Sequence, residues 1–263
     1  MWVDAHLHLD APAFDGDREA VIARAAAAGV GLMISAGTSV EGSRRAVALA
    51  ERYPHVWAAV GIHPEVAEDA TPAGLEALST LARHPRVCAI GEVGLDYYRP
   101  RAPREVQIMA FSAQVRLARE SGLPVVVHDR EAHEDVERIL QDEGASRVVL
   151  HCFSGTPEMA LRGAVAGWMI SLAGPLTFAD SGPLQEVARR VPIGHVLVET
   201  DAPYLAPVPF RGRRCEPAFV VHTGRKLASL RGLTEEALGA QVAENARRMF
   251  TRTDDRRGSG AAE

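Results

Sequence analysis

The fold class that this sequence predicts is α/β, a (β/α)8 TIM barrel with extra C-terminal helices, and three observations predict it. Eight short apolar runs rich in β-branched residues recur along the chain. The stretches between them run to roughly 15 to 30 residues, the length of a crossover helix with its two loops. Near-continuous apolar strands alternating with helices call for a parallel sheet covered by helices, and eight repeats suggest closure into a barrel. An open doubly wound sheet is the alternative.

The strands are expected at residues 2–9, 31–37, 56–63, 87–95, 124–129, 147–153, 168–174 and 196–201. Helical spacing of apolar positions marks 18–28, 40–52, 105–121, 132–143 and 184–190 as crossover helices. Gly29, Gly122 and Gly144 follow three of them as C-terminal stops. After the eighth strand a stretch with Pro203, Pro207 and Pro209 leads to two more helices, 218–230 and 235–250. The first is expected outside the barrel and the second across its end. No linker divides residues 1–250, which are read as a single domain. Residues 251–263 are charged, Gly/Ser/Ala-rich and without core residues, so a disordered tail is expected.

Composition narrows the function classes. The chain has 263 residues, 47% hydrophobic and 24% charged, the balance of a globular protein. No apolar stretch reaches the roughly 18 residues of a membrane span. The N-terminus enters a strand pattern at once, without a basic region and apolar run, so a cytoplasmic location is expected. Cys88, Cys152 and Cys215 are far apart, unlike a disulfide framework or a zinc cluster, and the first two read as small strand residues. Lys226 is the single lysine, which leaves Schiff-base chemistry almost no candidates. A net charge of −5 means that a nucleic-acid partner must be met by local cations rather than by bulk charge.

The polar residues that fit the strand patterns worst gather at one end of the strands. His6 and His8 end the first, His63 the third, Glu92 the fourth, His128 the fifth, His151 the sixth and Asp201 the eighth. Taken singly, each has a bland reading: a structural histidine, or a carboxylate that caps a helix or pairs with an arginine. Taken together, seven metal-type side chains at matching ends of six strands converge on one barrel mouth. His6 and His8, two apart, share a strand face. Four ligand histidines and two carboxylates exceed one tetrahedral ion but suit two ions joined by a shared carboxylate, the apparatus of hydrolytic displacement at phosphorus. With no lysine near the mouth to be carboxylated, Glu92 is the residue left to bridge.

Six blocks resemble the TatD family of metal-dependent deoxyribonucleases, within the wider metal-dependent hydrolase superfamily. They are Asp4-Ala5-His6-Leu7-His8-Leu9, Gly61-Ile62-His63-Pro64, Gly91 to Tyr98 (GEVGLDYY), Pro124 to Ala132 (PVVVHDREA), His151 to Gly155 (HCFSG) and Glu199 to Leu205 (ETDAPYL). The resemblance runs over about residues 2–250 and implies a (β/α)8 barrel, two divalent metal ions (Mg²⁺, Mn²⁺ or Zn²⁺) and hydrolysis of DNA phosphodiester bonds, often as an exonuclease. It assigns His6, His8 and Asp201 to one ion, His128 and His151 to the other, Glu92 to both, and places His63 beside the substrate phosphate. In the mechanism this suggests, water attacks phosphorus in line with the departing sugar oxygen and Asp201 takes its proton as general base. His63 or the ions offset charge on the non-bridging oxygens.

Around this centre, Asp4 and Glu199 lie two residues before His6 and Asp201 on the same strand faces. They are candidates to hold the free nitrogens of ligating histidines, against a purely structural salt bridge. Arg130, and Arg99, Arg101 and Arg104, are candidates to meet phosphates, with a solvated face as the alternative for the last three. Tyr97, Tyr98 and Tyr204 are candidate stacking surfaces for bases. The family's basic stretch ending in Asn-Glu-Pro is here Arg211-Gly212-Arg213-Arg214-Cys215-Glu216-Pro217. Arg211, Arg213 and Arg214 remain a candidate phosphate grip, and Cys215 in place of the asparagine suggests that the loop is held differently.

The expected substrate is DNA, single-stranded or at frayed ends, with no membrane and no obligate protein partner. The rival activity is hydrolysis of a carboxylic ester or amide, as in a D-aminoacyl-tRNA deacylase, because paired ions activate water equally well against a carbonyl. A closed apolar pocket would favour that rival, and an arginine-lined groove favours phosphate. A non-catalytic binding protein on a retained barrel is a further alternative, set against the presence of every expected ligand.

Overall fold

The computed structural model describes residues 1–252. Most of the expected tail, 253–263, lies outside the described residues. The strands are β1 (Trp2–Leu7), β2 (Val30–Ala36), β3 (Val56–Val60), β4 (Val87–Asp96), β5 (Val125–Arg130), β6 (Val148–Leu150), β7 (Met169–Leu172) and β8 (Val196–Val198). They pair in parallel in chain order. The barrel closes where the Asp201 N–H donates to the His6 carbonyl (3.0 Å) and the His8 N–H donates to the Ala202 carbonyl (2.8 Å). These closing bonds also join the first and last parts of the predicted ligand set.

The crossover helices are α1 (Arg18–Ala27), α2 (Val40–Arg52), α3 (Pro72–Ala82), α4 (Arg104–Glu120), α5 (His133–Asp142), α6 (Pro157–Val165) and α7 (Gly182–Arg190). Two of them, α3 and α6, were not singled out by apolar spacing, but both carry a cap signal. Thr71 and Thr156 accept from the backbone N–H groups of Gly74 and Met159, and a proline opens each first turn. Gly29, Gly122 and Gly144 sit at positive φ just past their helices. All of β1 and β4 is buried, as expected of strands covered on both faces.

Helices α8 (Val220–Arg231) and α9 (Glu235–Phe250) complete the body. Asn245 of α9 donates to the carbonyls of Ile193 and Val196, at 2.8 Å each, and so fastens α9 to the start of β8. The body continues past residue 250. Arg147 donates to the Thr251 carbonyl at 2.7 Å, and Arg252 donates to the carbonyls of Ala82 and Val87. Thr251 and Arg252, assigned to the tail by composition, are therefore held to the barrel. Among the described residues, no helix is long and apolar enough to cross a membrane.

Several strands end earlier than their apolar runs. The ladder stops at Leu7, Val60, Leu150 and Val198, so His8, His63, His151 and Asp201 stand just beyond it. There the backbone leaves the regular pleat and re-aims side chains inward. Asp201 and Cys152 both take left-handed backbone angles (φ 55° and 42°), unusual for non-glycine residues and concentrated at functional sites. Cys152 is thus a turn residue rather than a strand residue. Glu92 differs in the other direction, because β4 continues four residues past it to Asp96 while its pairing with β3 ends at Ile90.

Candidate metal centre

Glu92 stands at the middle of the barrel mouth, and its two carboxylate oxygens face different histidines. Oε2 lies 3.4 Å from Nε2 of both His6 and His8. Oε1 lies 2.7 Å from Nδ1 of His128, 2.9 Å from Nε2 of His151 and 3.4 Å from Nε2 of His63. Asp201 Oδ1 completes the first side, 3.4 Å from His8 Nε2 and 3.9 Å from His6 Nε2. All seven residues expected at the mouth are therefore brought together.

The donor set fits divalent cations. Both ring nitrogens of His6 are buried without a hydrogen-bond partner, which is costly unless something else meets them. Two ligands at about 2.1 Å from one ion stand about 3.0 to 3.4 Å apart in octahedral or tetrahedral geometry, close to several of these separations. Ligand atoms within 4.8 Å of one another form three overlapping groups: His6, Glu92 and His151; His6, His8 and Asp201; and His63, Glu92 and His128. His63 thus faces the same carboxylate oxygen as His128 and His151.

The electrostatics follow from packing five imidazoles around two acids. Burial opposes ionisation of Glu92, but the charges of His151 and His63 and the hydrogen bonds from His128 and His151 hold its carboxyl well below the usual range. Burial likewise disfavours a charged His8, yet the hydrogen bond to Asp201 and the charge of Glu92 push its pKa up to about 9. Against the same burial, Asp96 and Glu92 push His128 up to about 9. His6 moves the other way, lowered by burial and by the neighbouring His151.

A ring of further contacts aims the ligands. His8 Nδ1 faces the Ala36 carbonyl at 3.0 Å, which leaves Nε2 for the centre. Glu199 Oε1 accepts from the Cys152 N–H (2.7 Å) and lies 3.2 Å from His151 Nδ1, the kind of partner expected of it. Asp4 does not reach a ring nitrogen. Its carboxylate accepts from the Thr200 N–H at 2.9 Å and from the Thr200 hydroxyl, because Thr200 lies across the β1/β8 seam and satisfies both oxygens. Burial raises the Asp4 pKa well above its ordinary value, and Glu199 adds to the rise.

Sequence reasoning gave no role to Asp96, which the structure places 3.3 Å (Oδ2) from Nε2 of His128. Its signal was present, since Glu92, Gly94 and Asp96 are spaced by two on one strand and share a face. Gly94 between them is required by the fold. At φ 140°, a Cβ there would sit 2.0 Å from the His128 carbonyl oxygen.

A cleft of ≈ 1260 Å³ opens over the centre, lined by His8, His63, Glu92, His128, His151 and Asp201 and walled by Arg99 and Arg130. The guanidiniums of Arg130 and Arg99 lie 4.4 and 5.6 Å from the ring of Tyr98, which is half exposed. Tyr204, also exposed, approaches His8 with ring centroids 6.2 Å apart. Other expected substrate contacts fall elsewhere. The Tyr97 hydroxyl donates to Asp135 at 2.8 Å and Arg104 covers its ring at 3.7 Å, so α4 and α5 hold it outside the cleft lining. Arg211 leans on Phe178, a cleft residue, at 4.1 Å, whereas Arg213 sits over Phe210 and does not line the cleft. Arg214 is taken up by Asp17 and Glu216, and Glu216 also binds Arg24. With the Cys215 N–H donating to the Pro203 carbonyl at 3.0 Å, this ion-pair network holds the loop.

Comparison with known proteins matches this geometry to a family. The profile of the TatD related DNase family matches residues 3–251. An uncharacterized metal-dependent hydrolase of Bacillus subtilis, YabD, is 39% identical over 252 residues, covering 95% of this chain and 99% of that protein. The 3'-5' ssDNA/RNA exonuclease TatD of Salmonella typhimurium is 37% identical over 94% of this chain and 98% of its own length. Among solved structures, the TatD homolog YJJV of Escherichia coli superposes with a TM-score of 0.90 at 33% identity, covering 95% of this chain and 97% of the other. The chain belongs to the TatD family of DNase-related, metal-dependent hydrolases.

Proposed function

We propose that this hydrolase removes nucleotides from the 3′ ends of single-stranded DNA or RNA, using two divalent cations joined by Glu92. The observation that carries the reading is the division of the Glu92 oxygens, with Oε2 toward His6 and His8 and Oε1 toward His128, His151 and His63. The 3'-5' ssDNA/RNA exonuclease activity for which relatives 37 to 40% identical over 94% of the chain are named supports the substrate class and polarity. The arginines of the cleft wall support a phosphate rather than an acyl substrate.

In this reading His6, His8 and Asp201 would hold one cation, His128 and His151 the other, and Glu92 would serve both. Such ions, when bound, lower the pKa of water and neutralise charge gathering on a phosphodiester. The chain's own groups do the rest. Asp201, at the rim of the centre 3.4 Å from His8 Nε2, accepts the proton of the attacking water. His63 orients a non-bridging phosphate oxygen. Arg130 and Arg99 hold the following phosphates of the strand, and Tyr98 and Tyr204 offer exposed rings to its bases.

The test is digestion of end-labelled single- and double-stranded DNA and RNA by metal-stripped protein with Mg²⁺, Mn²⁺ or Zn²⁺ restored. A ladder shortening from the 3′ end of single strands, absent in Glu92→Ala, is the expected result. No cleavage by protein that binds two cations would move the reading to carboxylic esters, with aminoacyl-tRNA as the next substrate.

A further inference from the structure

Two glutamines of α4 lie in the helix–barrel interface, where apolar side chains are the rule. Gln107 and Gln114 are seven residues apart, two helical turns, and both are fully buried. Each grips one residue of the barrel rim by both backbone groups. Gln114 Oε1 accepts from the Ile62 N–H at 2.8 Å while its Nε2 donates to the Ile62 carbonyl at 3.0 Å. Gln107 does the same for Asp96, accepting from its N–H at 2.9 Å and donating to its carbonyl at 3.2 Å. Each side-chain amide thus supplies the reciprocal pair of bonds that a neighbouring strand would supply.

The gripped residues are not arbitrary. Ile62 precedes His63, whose Nε2 faces Glu92 Oε1 at 3.4 Å. Asp96 reaches Nε2 of His128 at 3.3 Å, and Nδ1 of the same ring is 2.7 Å from Glu92 Oε1. The remaining Asp96 oxygen accepts from the N–H groups of Tyr98 and Arg99, so its carboxylate has little freedom to turn. Both grips therefore act on the His63, Glu92 and His128 group, and neither touches the His6, His8 and Asp201 side. Ile62 lies past the end of β3, and Asp96, the last residue of β4, pairs with Arg130 of β5 but has no strand partner on the β3 side, where Gln107 takes its backbone groups.

We propose that Gln107 and Gln114 are positioning residues through which α4 sets the spacing of one half of the metal centre. Gln107 acts through Asp96 on His128, and so on one cation. Gln114 acts through Ile62 on His63, and so on the substrate; this second part rests on the nuclease reading above. A merely structural role, satisfying two backbone pairs, would lower stability without distinguishing the two halves of the site.

The test compares Gln107→Met and Gln114→Met with the unaltered protein by calorimetric Mn²⁺ titration, thermal melting and kinetics on a single-stranded oligonucleotide. Gln107→Met is expected to weaken one Mn²⁺ by about 10- to 100-fold, the usual effect of removing a group behind a ligand, and to leave the other within about twofold. Gln114→Met is expected to keep both Mn²⁺ affinities and to raise KM for the oligonucleotide with kcat little changed. If either variant fails to fold, Gln107→Glu or Gln114→Glu, which keeps the shape and the acceptor but not the donor, decides by the same criteria. Equal loss of both cations, or a lower melting temperature with unchanged Mn²⁺ affinity, would overturn the role of Gln107. An unchanged KM would overturn that of Gln114. The Mn²⁺ titration is independent of the substrate, so a protein that cleaves no nucleic acid leaves the Gln107 result standing while the nuclease reading fails.

Discussion

Nε2 of His6 stands 3.4 Å from Oε2 of Glu92, and neither nitrogen of that ring has a hydrogen-bond partner. A cation between His6 Nε2 and Glu92 Oε2 would meet those two atoms at once. Added Mn²⁺, Zn²⁺ or Mg²⁺ should therefore raise the melting temperature, by about 2.7 kcal/mol of stability at a hundredfold excess over Kd. Glu92→Ala should remove most of that rise. A melting curve indifferent to all three cations would count against the centre.

Asp201 is expected to matter for proton transfer more than for cation retention. Asp201→Asn keeps an oxygen facing His8 and should lower kcat by about 10²- to 10⁴-fold with cations still bound. Near-normal turnover in that variant would remove Asp201 from the role of base.

Arg130 and Arg99 form no ion pair among the described residues and flank an exposed ring. Arg130→Ala should raise KM for long single strands. It should also flatten the dependence of log affinity on log salt by about 0.7, one phosphate contact's worth for a single strand. A binding slope that does not change would place Arg130 outside the phosphate path.

Cys88 makes a pH prediction well away from the centre. Burial pushes its thiol from 9.0 to about 12, so the folded state binds the proton more tightly than the unfolded chain. The resulting stabilisation is complete below pH 9 and is lost as pH rises from 9 toward 12. Cys88→Ala, which has no thiol to ionise, should lose less stability than the unaltered protein between pH 8 and pH 10.5, measured by urea midpoints. Parallel losses would show that other groups control the alkaline limb.

Gly94→Ala would drive a methyl group against the His128 carbonyl at a backbone angle that disfavours any side chain. More than about 1 kcal/mol of stability should go. The Mn²⁺ affinity should fall with it, because β4 and β5 carry Glu92 and His128. A variant as stable as the parent would mean that the two strands can part without cost.

Much of this molecule was legible in the order of its residues. Apolar runs alternating with helical spacing are enough for a barrel, since each strand must be covered on both faces and each helix must cover one. The same periodicity placed His6, His8, His63, Glu92, His128, His151 and Asp201 toward one mouth, because parallel strands in a barrel all point the same way. It could not say that Asp4 would meet Thr200 rather than an imidazole, or that Tyr97 would turn to Asp135. Those outcomes depend on which side chain lies across a seam or on a neighbouring helix.

The sequence by itself determined the barrel, the family and the set of residues at the mouth, because these rest on local periodicity and on motifs contiguous along the chain. Only the tertiary structure decided how the Glu92 oxygens divide among the histidines, that Asp96 stands behind His128, and that α4 holds two strand ends by its glutamines. Each of these relations joins residues on different elements. They are set by distances of a few ångströms between side chains, for which spacing along the chain carries no information.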